Sequence, residues 1–331
     1  MRTTKSATVI SILLLAACRD RSAPAANPVP PRPTSTAMAT GFAKEASEAF
    51  DAHDAQKAGA LFTEDAVLSL VGQPDGDRGR AAIEQEVAEL YDRYRDPKLT
   101  IGRVWVGHEA SVIEFVFSGT RSAGEMLGTK VPERPVGLVG ASVVVFDGDG
   151  RVRTLRVYLD VATIVGQVEP ALLPDGMKIR SVVTAVPAGT DVLVSQGTPG
   201  EAKNLAVTNR IWDALTAHEV VDVMAPAADD YVYEDYSGPG PLKKADTQRM
   251  VARFLAVVPD FAITAKPVQI AAGDDVVTEM VEQATFDGKP VTLHALDVKR
   301  FESGKVVLEW QYANYVEALT QLHGWGAPGG D

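Results

Sequence analysis

Pro135–Val168 reads PVGLVGASVVVFDGDGRVRTLRVYLDVATIVGQV. Val143–Phe146 and Val152–Leu159 are strand-like, and Asp147-Gly148-Asp149-Gly150 between them is a turn signal, so the stretch is a β-hairpin. It closes on Asp160 and a short apolar run, Val161–Val165. The order then recurs. Pro290-Val291-Thr292-Leu293 repeats Pro135-Val136-Gly137-Leu138, Phe301 repeats Phe146, Tyr312 repeats Tyr158, and Asn314 stands where Asp160 stood. Upstream, Trp212-Asp213-Ala214 matches Phe50-Asp51-Ala52, and Phe261-Ala262-Ile263 matches Leu99-Thr100-Ile101. A self-match of this length marks an internal repeat. The chain is two diverged copies of one domain, residues 41–168 and 200–324, joined by a Pro/Gly-punctuated connector, 169–199, and followed by a tail, 325–331. The first copy carries a longer loop, Gly119–Arg134.

Each copy opens on helical spacing. Phe42, Ala46, Ala49 and Phe50 recur at helix period in copy one, as do Leu205, Ile211, Trp212 and Leu215 in copy two. A short second helix ends near Leu61-Phe62 or Val223-Met224. A third helix is expected over Arg80–Tyr94 and Lys243–Val258, with Pro97 and Pro259 soon after. The period then drops to two, as in Ile113, Phe115 and Phe117. Helices first and a strand meander after them predict an α+β fold, three N-terminal helices on a curved antiparallel sheet in each copy.

The 331 residues carry a net charge of −12 and a pI near 5.0. That balance argues against nucleic acid, which requires a basic surface. Arg2 and Lys5 precede the apolar run Ala7–Ala17, too short to span a bilayer and suited to a secretory signal, residues 1–17. Residues 18–40 contain five prolines and little apolar material, which predicts an extended tether. Leu15-Ala16-Ala17-Cys18 resembles a bacterial lipobox, which implies lipidation at Cys18, the chain's single cysteine. With Arg rather than Asp at position 19, the resemblance favours the periplasmic face of the outer membrane.

Helix–helix–helix followed by Gly119-Thr120, Pro135-Val136, Phe146, Gly150-Arg151-Val152, Tyr158 and Asp160 resembles the SnoaL-like branch of the nuclear transport factor 2-like superfamily. Copy two supplies Gly288-Lys289-Pro290-Val291, Phe301, Gly304-Lys305-Val306, Glu309-Trp310, Tyr312 and Gln321-Leu322. The resemblance implies two cone-shaped domains, each enclosing a pocket for a small hydrophobic molecule, with kinship to polyketide cyclases and ketosteroid isomerase. It also implies a proton-transfer role for Asp160 in domain 1, with Tyr158 or Tyr91 as donor. Arg121 stands where the family often has His, and copy two has lost the acid.

The residues themselves leave Asp160 open, since an Asp before Val161–Val165 also caps a helix, a task Asn314 performs equally well. The pocket face of the last strand is open too. Thr154, Arg156, Tyr158 and Asp160 share one face with Trp310, Tyr312 and Asn314 as their counterparts; Leu155, Val157 and Leu159 share the other. On the first choice, copy one's pocket is polar and copy two's greasy. Tyr91, Arg121, Arg156, Tyr233, His294, Trp310 and Asn314 are the expected ligand contacts. No His pair has metal-ligand spacing, so no metal and no cofactor is expected. The expected function is a membrane-anchored protein that binds a small hydrophobic molecule, with isomerase, cyclase or dehydratase chemistry in domain 1. The alternative is a non-catalytic binder or a structural lipoprotein. In either case, the two domains should pack as an internal pseudo-dimer.

Overall fold

The computed structural model describes residues 34–72, 76–186, 190–238 and 240–323. The signal segment, Cys18 and the tail lie outside the described residues. Domain 1 begins with α1 (Thr36–Asp51), α2 (Ala55–Ala60), β1 (Phe62–Leu70), β2 (Asp77–Arg78) and α3 (Arg80–Arg93). The strands β3 (Tyr94–Val106), β4 (Ser111–Arg121), β5 (Gly124–Met126), β6 (Thr129–Val131), β7 (Arg134–Phe146) and β8 (Val152–Tyr158) follow, and α4 (Val161–Val168) closes the domain. After β9 (Val192–Val194), domain 2 repeats the order with α5 (Pro199–Thr216), α6 (Val220–Met224), β10 (Ala227–Asp235), β11 (Leu242–Lys243) and α7 (Lys244–Val257). Its sheet continues through β12 (Ala262–Ala272), β13 (Asp275–Phe286), β14 (Lys289–Glu302) and β15 (Lys305–Ala313), ending in α8 (Tyr315–His323).

The sheets run β2-β1-β8-β7-β4-β3-β9 and β11-β10-β15-β14-β13-β12. They are antiparallel except for β1 with β8, β10 with β15, and β3 with β9. Register shifts fall at matching places, Phe62/Val67 and Ala227/Val232 among them. Such bulges bend a sheet, and each sheet curls round its helices.

Two boundaries differ from the sequence expectation. Helix α1 starts at Thr36, inside the stretch expected to be tether. Ser35 caps it by accepting from Met38 N, and Ala39, Ala43, Ala46 and Ala49 form a buried small-residue stripe. The connector, 169–199, carries a strand of its own. Its β9 extends the first sheet, and Val183 N donates to Gly137 O at 2.9 Å. A side chain at Gly137 would stand 2.1 Å from Val183 O, which is why that strand position has none. The long loop of copy one forms the β5–β6 hairpin, with Met126 and Val131 buried in the domain 1 core.

The outer faces of the two sheets pack on each other around Trp105, Tyr158, Trp310 and Tyr312. Within this apolar contact lie buried polar pairs related by the repeat. Tyr158 Oη donates to Glu279 at 2.8 Å, and Tyr312 Oη donates to Glu114, the residue equivalent to Glu279. Arg156 adds a two-pronged pair to Glu279, 2.5 and 2.6 Å. Arg300 holds Asp275 at 2.7 and 2.8 Å, and the same carboxylate accepts from Trp105 Nε1. The two domains form the expected internal pseudo-dimer.

At its end the contact becomes reciprocal. Asp160 caps α4, accepting from Thr163 N and Thr163 Oγ1, and its other oxygen accepts from Tyr315 N at 3.0 Å, the first residue of α8. Asn314 accepts from Val316 N and from Val161 N, the first residue of α4, while its amide donates to Val71 O. Each domain's last helix is therefore capped partly by the other domain.

Candidate functional site

Side chains alternate along a strand, so Asp297 and Lys299 of β14 and Glu309 and Gln311 of β15 point away from the aromatic interface and into the second cone. Lys299 is wholly buried, with Nζ 2.8 Å from Asp297 and 2.7 Å from Glu309. The same ammonium stands 3.6 Å from the centroid of the Trp212 ring. Tyr231 Oη donates to Glu309 at 2.7 Å, and Tyr233 Oη to Gln311 Oε1 at 3.0 Å. Burial pushes the Asp297 carboxyl well up, opposed by Lys299 and reinforced by Glu309. Two carboxylates thus share one ammonium: Asp297 and Lys299 are fully buried, while Glu309, 16 % exposed, faces the cavity.

In front of this floor lies a cavity of about 280 Å³, lined by Tyr231, Tyr233, Glu309 and Gln311 and by apolar residues such as Phe254 and Met280. Glu282, His294 and Glu317 also line it. His294 Nδ1 lies 2.5 Å from Glu317 Oε1, and its backbone N–H donates to the other oxygen at 2.8 Å. That hydrogen bond raises the His294 pKa. Glu282 is pushed up to about 7, mainly by burial and then by the Glu317 charge, with His294 pulling the other way. A carboxyl that changes charge near neutrality inside a cleft is a candidate for proton transfer.

The first cone has the same register and different chemistry. Leu68 pairs with Leu155 as Tyr233 pairs with Glu309, and Ser142 faces Val157 as Asp297 faces Gln311. Val144 takes the place of Lys299, and Phe117 that of Glu282. The result is a cavity of about 180 Å³ whose lining is apolar apart from Glu86, Tyr94 and Ser142.

The cone interiors therefore use Leu155, Val157 and Leu159 on one side and Glu309, Gln311 and Ala313 on the other. This reverses the polar-first, greasy-second expectation. Arg156, Tyr158 and Trp310 face the domain interface, where burial among aromatic side chains and pairing with Glu279 or Trp105 occupies them. Asp160 is 3 % exposed, its oxygens are filled by three donors, and it lines neither cavity. The capping role is the one its surroundings carry out. Tyr91 donates to Ala49 O and packs on Phe50 and His53. Arg121 lies near the Tyr94 ring and donates to Arg93 O and Ser122 O. Neither of these lines the first cavity. Tyr233, His294 and Asn314 do line the second.

Sequence reasoning missed Glu282, Glu309, Asp297 and Lys299. A signal was present in HALDVKRF (His294–Phe301), where Asp297 and Lys299 share one face of the strand, between Leu296 and Val298 of the other.

Taken together, the molecule is a tandem of cone-shaped α+β domains, each enclosing a cavity of small-molecule size. The family profile of the SnoaL-like domain matches it twice, over residues 43–154 and 208–309. The chain belongs to the SnoaL-like family, which includes polyketide cyclases, isomerases and ligand-binding proteins. No curated protein matches it. Among solved structures, it is similar to AclR, a putative hydroxylase from Streptomyces galilaeus, with 22% identity, 37% of this chain and 96% of that one covered, and a TM-score of 0.34. It is similar also to an LEH-like epoxide hydrolase of M. tuberculosis (20%, 38% and 94%, 0.35). A third is IdmH, a putative polyketide cyclase from Streptomyces antibioticus (21%, 36% and 97%, 0.33).

Proposed function

We propose that the second cone binds a small, mainly apolar molecule bearing one polar group and moves a proton on it, in chemistry of the isomerase, cyclase or dehydratase kind. The observation that carries this is the set of polar groups turned into one cavity, Glu282, Glu309, Gln311 and Tyr231, against apolar residues at the matching places of the first cone. Glu282 is the proton-transfer group, because it faces the cavity beside His294 and Glu317 and its pKa is pushed up to about 7 by burial and by the Glu317 charge. Gln311 uses its carbonyl oxygen on Tyr233, so the donor end of its amide is the part left for a developing oxyanion. Asp297 and Lys299 act from behind by holding Glu309 and, through it, Tyr231. The first cone supports a different reading, binding without turnover. An apolar cavity of about 150 Å³ stays dry and takes up benzene-sized molecules.

The test is a screen of small carbonyl compounds for binding and product, repeated with one filled cavity at a time. Ala295→Phe fills the second cone, and Ala46→Phe the first. Product formation should vanish in Ala295→Phe and persist in Ala46→Phe, with both variants confirmed folded by thermal melting. The reverse pattern would move the chemistry to domain 1.

Anchoring rests on the resemblance of Leu15–Cys18 to a lipobox. Cells fed labelled palmitate should label the wild-type chain and not Cys18→Ser. Equal labelling of the two removes the anchor.

A further inference from the structure

The twin helices α3 and α7 occupy equivalent places and carry opposite charge. Between Arg80 and Arg93, α3 has two cations and four acids; between Lys244 and Val257, α7 has three cations and the single acid Asp246, with exposed Lys243 just before it. On a chain with a net charge of −12, this is a local reversal of sign. The inner stripe of α7 is spent on the domain, with Thr247 and Leu255 buried and Val251 and Phe254 packed beneath. Its outer face shows Arg253, Met250 and Val257, together with Arg249, which is paired with Asp246. Val257 is 74 % exposed and Met250 38 %, and Val221, on the helix α6 that packs against α7, is 72 % exposed. Val257 and Val221 are the two largest exposures of bulky apolar side chains among the described residues, and the exposed acid Asp222 adjoins Val221. Met250 also lines the second cavity, so the patch meets the rim of the cavity.

We infer that the outer face of α7, with the neighbouring tip of α6, docks on an anionic lipid surface. Arg253 and Lys243 meet the headgroups, Arg249 exchanges its Asp246 partner for a phosphate, and Val257, Met250 and Val221 enter the boundary between headgroup and acyl chain. Cations flanking exposed apolar side chains are the combination an anionic bilayer recognises, by attraction to its surface potential plus shallow burial. A soluble acidic partner would use the cations and gain little from three isolated valine and methionine side chains. The contact is independent of any lipid on Cys18. It also gives the second cone a route for its ligand, because an apolar molecule dissolved in the bilayer would reach the cavity past Met250 without crossing water.

The test uses the chain from Arg19 onward, which keeps every described residue and lacks the cysteine. It is sedimented with vesicles of phosphatidylcholine alone or with roughly a quarter phosphatidylglycerol. Binding should be confined to the anionic vesicles and should be lost at 1 M salt, where the Debye length is about 3 Å. Arg253→Glu and Val257→Asp should each weaken it by about tenfold or more, with the fold checked by circular dichroism. Three outcomes would overturn the inference: no sedimentation with either vesicle; equal sedimentation of both variants and the wild type; or a change of oligomeric mass in the variants with vesicle binding unaltered, which would make the patch a contact between copies.

Discussion

Glu282→Gln should lower turnover of the compound accepted by the second cone by about 10²–10⁴-fold, the usual contribution of a positioned general acid or base. Substrate affinity should change little, since the amide keeps the shape of the acid. The limb of the pH–rate profile near neutrality should vanish with it. The same variant has a stability signature. The unfolded chain ionises this carboxyl near its ordinary 4.5, whereas the folded chain holds the proton until about 7. Between those values the folded state binds more protons, so stability should fall as pH rises from about 4.5 to 7. Glu282→Gln should remove that slope. Asp160, raised from 3.8 to about 6 by burial, adds a slope of the same sign in a lower window. Asp160→Asn should flatten that one and leave turnover intact. A Glu282→Gln protein with wild-type rate would exclude Glu282 from the chemistry, whatever its stability curve shows.

The largest stability effect is expected at the domain interface. Glu279 accepts from Arg156 twice and from Tyr158 once, and is 1 % exposed. Glu279→Ala removes all three hydrogen bonds and leaves a guanidinium and a phenol hydroxyl facing an apolar contact. Removing one partner of a fully buried pair costs about 3–5 kcal/mol, and the cost here should fall toward the lower end because Arg156, 27 % exposed, is partly hydrated. Glu279→Gln should cost less, since its carbonyl still accepts from Tyr158. The surface pair of Arg95 and Glu133, 59 % and 46 % exposed, supplies the contrast. Its removal should cost under about 1 kcal/mol. Urea unfolding measures all three, and a Glu279→Ala cost as small as that of the surface pair would show that the interface contributes little to stability.

How far the sequence could be read depended on the kind of information needed. The repeat and the order of elements were legible because periodicity and turn residues are local, and α3 and α7 end within a residue or so of the expected positions. The site was not. Arg156, Tyr158, Trp310 and Tyr312 have the composition of a pocket wall, but they meet the other domain instead of a ligand. A strand's alternation separates its two faces without saying which one a second sheet will cover. The exchange of Asp160 for Asn314 was open to two readings, a lost catalytic group or a change of helix cap. In space it is one pair of caps, and the acids that line a cavity, Glu282 and Glu309, sit on strands whose twins carry Phe117 and Leu155.

Those crossed caps bear on why two such domains share one chain. A dimer of identical subunits must place the same residue on both sides of its twofold axis. Asp at both places would set two carboxylates close together in a buried seam, and Asn at both would hold no charge there. Copies joined in one polypeptide can mutate separately, with an acid on one side of the axis and an amide on the other. The fusion thus frees the two halves from symmetry at their most crowded point. The same freedom allows one cone to carry a charged cluster and the other to be lined mainly by apolar side chains.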